Sequence, residues 1–318
     1  MRVRLPTAAP RCKVKAAGNL VTSTPAEHFA SHMPSLVRAP PGQLLTYPAM
    51  PRFELIDSLE DPRIEPYREI RERDLVGRQG LFIAEGEVVL RHLLAGGRFR
   101  PVSVLVDSKR LEKLAPMFAG LPDEVPVFHA RQEVLSAIAG FPLHRGILGL
   151  GRREEPPTVE QLLATQGPRA LLLVLYGIAN HDNLGAIFRN AAAFGADAVI
   201  LDAHCCDPLY RKALRVSVGA GLIVPFARLA PGEDALAVLA RHGFEAIALT
   251  PGGGTRLSDL SRSERMAVLL GAEGPGLADE VIAGARPVRI PMARGFDSLN
   301  VATTSGIVLH HLTAERAG

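Results

Sequence analysis

Tryptophan is absent from this chain of 318 residues, aromatic residues make up 5% of it, and cysteine occurs three times. Cys12, Cys205 and Cys206 are an odd number and two are adjacent, so they frame neither a disulfide scaffold nor a Cys-x-x-Cys metal or iron–sulfur site. This usage points to a reducing cytoplasm and structural thiols. The longest apolar run, residues 170–179, is about half of the roughly 18–20 residues a membrane span requires. No apolar core follows the basic N-terminus as a secretory signal would require, so a soluble protein is expected. Both common phosphate-binding glycine patterns, G-x-G-x-x-G and G-x-x-x-x-G-K-[ST], are missing, and Gly252-Gly253-Gly254-Thr255 lacks the lysine.

What is present suits a globular protein with packed cores. Hydrophobic residues make up 47% of the chain and charged residues 22%, and the length predicts two domains at roughly 100–200 residues each. The net charge of +3 is unevenly spread: residues 1–50 hold six basic residues against one acidic, whereas 51–155 and 156–318 are each within one charge of neutrality. An acid-poor tail of this kind can neutralise phosphates, which favours a nucleic-acid partner; the same composition also fits an extension with no role.

Residues 1–50 show no sustained periodicity and are expected to be a flexible basic extension. Residues 51–155 alternate between short apolar runs and helical patterns, predicting helices over 66–75, 87–94 and 131–139 and strands over 81–84, 102–106 and 146–150. That is a small α/β domain. Pro156-Pro157 and the charges before them mark a boundary near residue 155. From 156 to 318 the alternation becomes regular. Strands are expected over 171–175, 198–201, 222–225, 246–249, 267–270 and 288–290. Helices are expected over 184–194, near 212–216, over 234–242, from 277 and from 298. Short apolar strands separated by amphipathic helices imply a parallel sheet covered on both faces.

Ligands of such sheets collect at the carboxyl ends of strands. Three turns there are unusual in composition. The first runs Asn180-His181-Asp182-Asn183-Leu184-Gly185 into a helix carrying Arg189; Asn183 is placed as the N-cap, and Arg189 can pair with a phosphate or carboxylate. The second, Leu270-Gly271-Ala272-Glu273-Gly274-Pro275-Gly276, surrounds one acid with three glycines. The third, Ile290-Pro291-Met292 through Ser298-Leu299-Asn300-Val301, enters the last helix with Ser298 as its expected N-cap and Asn300 in the first turn. Each turn alone also fits ordinary helix capping.

Together, N-L-G-x-x-x-R, G-x-E-x-x-G and I-P-M…S-L-N-V resemble, in order and spacing, the three motifs of the SpoU/TrmH family of RNA 2′-O-ribose methyltransferases within the SPOUT superfamily. The resemblance covers residues 170–315. Phe82-Ile83-Ala84-Glu85-Gly86 also resembles the opening of the ribosomal-protein-like RNA-substrate domain that many members carry. The resemblance implies a parallel α/β SPOUT domain with a deep trefoil knot, S-adenosylmethionine held in that knot, an obligate homodimer and a tRNA or 23S rRNA substrate. By residue, it assigns Asn183, Arg189, Glu273, Ser298 and Asn300 to catalysis. Cofactor contacts, largely through backbone, fall to Thr250, Leu270, Gly271, Gly274, Ile290, Met292, Ser298, Leu299 and Asn300. Lys212 to Ala220 resembles the family's K-x-x-R-x-S-x-G-A segment, which makes Lys212, Arg215 and Arg189 RNA contacts; a helix-surface role for Arg215 fits equally. No metal is implied. Cys205-Cys206 before Pro208 departs from the polar residues members often carry there.

Two other readings stand beside this one. A non-catalytic RNA-binding protein would use the knot as a scaffold, and RNA binding without cofactor binding would mark it. A Rossmann-type nucleotide enzyme is opposed by the glycine order and would be marked by binding of NAD.

Overall fold

The computed structural model describes residues 52–68, 72–140, 143 and 146–314; the basic stretch 1–50, with Cys12, lies outside the described residues. Residues 48–318 cluster as one compact unit. Within it the chain first builds β1 (Phe53–Leu55), β2 (Leu81–Glu85), β3 (Phe99–Asp107), β4 (Val127–Ala130) and β5 (Ile147–Arg153). These pair in the order β1-β4-β3-β5-β2, parallel around β4 and antiparallel around β5. The helices α1 (Glu72–Gln79), α2 (Glu87–Leu94), α3 (Leu111–Phe118) and α4 (Gln132–Ala139) connect them.

The expected helix over 87–94 coincides with α2, while that over 66–75 is replaced by a 3-10 turn at Pro62–Tyr67 and by α1. Sequence periodicity missed β1, α3 and β4. Pro116 interrupts the helical pattern inside α3, and that helix forms because Leu114 and Phe118 are buried against the sheet.

The second sheet contains β6 (Ala170–Leu175), β7 (Ala198–Leu201), β8 (Phe226–Arg228), β9 (Glu245–Leu249), β10 (Thr255–Arg256), β11 (Arg265–Leu270) and β12 (Arg286–Arg289). All pairs are parallel, in the order β10-β12-β9-β11-β6-β7-β8. Its helices are α5 (Val159–Ala164), α6 (His181–Phe194), α7 (Arg211–Val216), α8 (Ala220–Ile223), α9 (Ala235–Arg241), α10 (Asp279–Ala283) and α11 (Val301–Thr313).

Strand β6 is buried throughout, and its side chains divide between two cores. Leu171, Leu173 and Leu175 pack with Leu184, Ile187, Phe188 and Ala191 of α6 and with Val308, Leu309 and Leu312 of α11. Ala170, Leu172 and Val174 pack with Val159, Leu162 and Leu163 of α5 and with Ala235, Val238 and Leu239 of α9. A period of two along the strand meets a stripe at i, i+3, i+4, i+7 on α6 and at i, i+3, i+4 on α5 and α9, which is why the apolar runs lack polar alternation. Residues 220–223, within and before the expected strand 222–225, instead form α8. Val218 (φ 54°) and Gly219 (φ 83°) turn the chain into that helix, and the strand starts only at Phe226. No helix among the described residues is long and apolar enough to cross a membrane.

The two sheets share an apolar cluster that includes Phe82, Val104 and Val106 from the first and Val199 and Phe226 from the second. Charged side chains fasten its edges. Arg98 donates to the carbonyl oxygens of Val224 (2.8 Å) and Phe226 (3.3 Å) and lies over the Phe226 ring, 4.8 Å from its centre. Arg153 pairs with Asp207 at 2.6 Å, and buried Glu85 pairs with Arg211 at 2.7 Å. Burial, helped by nearby Arg153, pushes Arg98 down to about 10, so it remains charged at neutral pH. Arg98→Ala leaves two carbonyl groups without their donor and is expected to cost about 1–3 kcal/mol in urea unfolding. A loss below about 0.5 kcal/mol would show that the junction does not depend on this side chain.

Candidate active site

The three unusual turns follow β6, β11 and β12 and meet at the carboxyl edge of the second sheet. Residue types that favour helix starts crowd all three, and the structure selects among them. Asn180, not Asn183, caps α6: its Oδ1 accepts from the backbone N–H of Asp182 (2.8 Å) and Asn183 (3.4 Å). Asn183 therefore lies inside the first turn, 8% exposed. Likewise Asn300, not Ser298, caps α11, its Oδ1 accepting from Ala302 (2.9 Å) and Thr303 (3.1 Å). The extended backbone that a cap requires occurs at Asn180 and Asn300, one residue ahead of the helical run in each case.

Capping by the Asn300 oxygen turns its amide nitrogen outward. That nitrogen donates to Asn183 Oδ1 and to Glu273 Oε1, both at 2.9 Å. Oxygen facing two N–H donors and nitrogen facing two oxygens fix the amide's orientation. One side chain thus joins all three turns. The Glu273 carboxylate keeps a second oxygen that takes no hydrogen bond from the described residues.

The second turn is folded back on itself, with the Gly276 N–H bonded to Ala272 O at 3.1 Å. This requires glycine at 271, where a Cβ would lie 2.2 Å from the Gly276 carbonyl carbon. Residues 250–254 form a further loop beside these turns. Leu249 at the end of β9 and Thr255 at the start of β10 both pair with Val288 of β12, so the intervening residues cross over β12. Thr250 N–H donates to Val288 O at 3.0 Å, and the Arg289 guanidinium bonds to Gly253 O.

Of the remaining sequence-derived site residues, Arg189 is exposed on α6 and makes no hydrogen bond or ion pair with the described residues; the same holds for Ser298. Leu270 is buried, Gly271, Ile290 and Met292 are half-buried, and Gly274 and Leu299 are exposed. Lys212 and Arg215 are exposed on α7 but already face carboxylates: Lys212 pairs with Asp182 at 2.6 Å, and Arg215 approaches Glu85 at 3.7 Å. Glu85 is a partner that sequence reasoning did not foresee. Its signal is an acid ending the otherwise apolar strand Leu81-Phe82-Ile83-Ala84.

The Cys205 thiol donates to Leu175 O at 3.3 Å, and its sulfur accepts from Ile178 N at 3.3 Å. Burial pushes both Cys205 and Cys206 up to about 12, with Asp202 adding to the first and Asp207 to the second, so neither is a thiolate nucleophile at neutral pH. No cluster of His, Cys, Asp and Glu fit for a metal ion occurs among the described residues.

Gly271→Ala sets a methyl group against backbone that cannot yield without opening the second turn. A loss of about 1–3 kcal/mol is expected, read as a fall in Tm; an unchanged Tm would mean that the turn has room to spare.

Comparison with known proteins places the chain in a family. Residues 170–310 match the SpoU rRNA Methylase family. A Mycobacterium bovis protein described as an uncharacterized tRNA/rRNA methyltransferase is 42% identical over 264 residues, covering 80% of this chain and 89% of the relative. Among solved structures, an AdoMet-bound rRNA methyltransferase from Sinorhizobium meliloti superposes with a TM-score of 0.71 at 25% identity, covering 83% of this chain and 98% of that one. A structure described as an RNA 2′-O ribose methyltransferase gives a TM-score of 0.66, also at 25% identity, over 83% of this chain and 100% of that one. The chain belongs to the SpoU rRNA methylase family of RNA methyltransferases.

Proposed function

We propose that the protein transfers a methyl group from S-adenosylmethionine to a ribose 2′-hydroxyl of structured RNA, a tRNA or 23S rRNA. The observation that carries this reading is the Asn183–Asn300–Glu273 node, which draws three turns distant in sequence into one site.

The residues present fit the cofactor. Ile290, Met292 and Leu299 offer apolar surface for an adenine ring, the tight backbone of residues 250–254 and around Gly271 and Gly274 offers polar groups, and Glu273 offers a carboxylate oxygen for a cationic group. When bound, S-adenosylmethionine supplies an electrophilic methyl group on a sulfonium. Asn300 has both amide hydrogens and its oxygen engaged within the protein, so it acts by holding the turns in register. The Ser298 hydroxyl is left for the cofactor or the ribose.

Arg189 supplies the charge. A guanidinium is a poor base, so its role is to stabilise the oxyanion that develops on the 2′-oxygen as its proton passes to solvent, and to hold the neighbouring phosphate. Its exposure, with no carboxylate partner among the described residues, suits that task. Lys212 and Arg215 extend the basic surface along α7, and residues 51–155 serve as the RNA-substrate domain ahead of the methyltransferase domain at 156–318, with residues 1–50 as a basic extension.

Two features of the family reading have support in the packing. The crossing of residues 250–254 over β12 supports a trefoil knot in this half of the chain. Phe296 (75% exposed), Leu299 (42%) and Ile307 (40%) leave apolar surface for the second subunit of a homodimer. Free thiols at Cys205 and Cys206 suit a cytoplasmic location.

The test is incubation with methyl-labelled S-adenosylmethionine and separate pools of unmodified tRNA and rRNA, followed by digestion to nucleosides. Label in a 2′-O-methylnucleoside is expected, and the pool that carries it names the substrate. Label on a base would overturn the ribose assignment; RNA binding without cofactor binding would leave an RNA-binding scaffold. Arg189→Ala is expected to lower turnover roughly 10²–10³-fold with cofactor affinity nearly unchanged, and full turnover in that variant would remove Arg189 from catalysis.

A further inference from the structure

We propose that Asn190 is a positioning residue that holds the third turn in its cofactor-binding form by gripping the start of α11; this rests on reading that turn as part of the cofactor site. Asn190 follows Arg189 on α6, seven residues and about two helical turns beyond Asn183, so the two asparagines lie along one side of the helix. Its Nδ2 donates to Ala302 O at 2.8 Å and to Ser305 Oγ at 2.9 Å, while the Ser305 hydroxyl donates to Ala302 O at 2.7 Å.

The peptide groups of Ala302 are therefore held from both sides. Asn300 Oδ1 accepts from its N–H, and Asn190 Nδ2 donates to its carbonyl oxygen. Since Asn300 Nδ2 also bonds to Asn183, the contacts close a ring that runs Asn183, Asn300, Ala302, Asn190 and back along α6. Gly306 makes the approach possible, because a Cβ there would come within 3.3 Å of Asn190 Nδ2.

The ring matters because the third turn has little packing of its own. Apart from half-buried Met292, residues 291–300 are exposed, so the ordering of this segment depends on what anchors its ends. The apolar core holds the body of α11 through Val308, Leu309 and Leu312, and the Asn183–Asn300 bond ties the start of the helix to α6. A second attachment two turns further along α6 fixes where Asn300 presents its amide to Asn183 and Glu273. Asn190 thus acts on the cofactor through Asn300 without touching it.

The experiment is calorimetric titration of S-adenosylmethionine into the full chain for wild type, Asn190→Ala, Asn300→Ala and the double variant, with hydrogen exchange measured over residues 298–304. Asn190→Ala is expected to weaken binding at least about fivefold, to add less than about twofold in the Asn300→Ala background, and to speed exchange at Ala302 and Thr303. Ser305→Ala keeps the bond from Asn190 to Ala302 and is expected to bind within about twofold of wild type. Wild-type affinity in Asn190→Ala, or losses that multiply in full in the double variant, would overturn the proposal; a purely structural role would lower Tm and leave affinity alone. Should Asn190→Ala not fold, Asn190→Asp keeps the size, loses the donor and carries the same expectation. If the wild-type chain takes up no S-adenosylmethionine, the cofactor reading fails separately, and exchange decides: unchanged rates overturn the role of Asn190, and faster rates support it.

Discussion

The side-chain amide of Asn300 is the constraint on which the site depends. Its oxygen caps α11, and its nitrogen bridges Asn183 on α6 and Glu273 in the second turn. Each bond alone is worth about 0.5–1.5 kcal/mol, rising towards 1.5–3 where the carboxylate is involved. Their combined effect exceeds that scale in consequence, because they tie together segments that leave three different strands. A substitution that shortened or reversed this amide would release all three at once.

That node is possible because the sheet beneath it is rigid. The buried strand β6 sits between two apolar cores, and α6 and α11 pack side by side over one of them. Parallel pairing brings the ends of β6, β11 and β12 to the same edge, so the turns that leave them have no choice but to be neighbours. The first sheet is coupled to this body by shared apolar packing and by Arg98, Arg153 and Glu85, each of which reaches a partner more than 50 residues away in sequence.

Charge is distributed in keeping with these roles. Lys212, Arg211 and Arg215 on α7 face carboxylates of the protein, whereas Arg189 on the adjacent helix faces none among the described residues. The first group binds α7 to α6 and to β2; Arg189 has no such partner among the described residues.

Periodicity and turn chemistry alone were enough to read the parallel sheet, the helix at 87–94 and the three site turns, since each rests on local patterns: apolar runs for buried strands, amide and glycine residues for strand-to-helix turns. Elements whose local pattern is broken, such as α3 with its internal Pro116 and α8 after the positive-φ Val218, form because burial outweighs propensity, and no short window reveals that. Which asparagine caps and which one bridges is likewise undecidable from residue type. Asn180, Asn183, Asn190 and Asn300 carry the same amide, and only the packing of α6 against α11 turns two of them into caps and two into rungs between helices. Residue order determined the family and the three turns that come together; tertiary structure decided the hydrogen-bond assignments, because an amide takes its role from the donors and acceptors that distant segments bring within 3 Å of it.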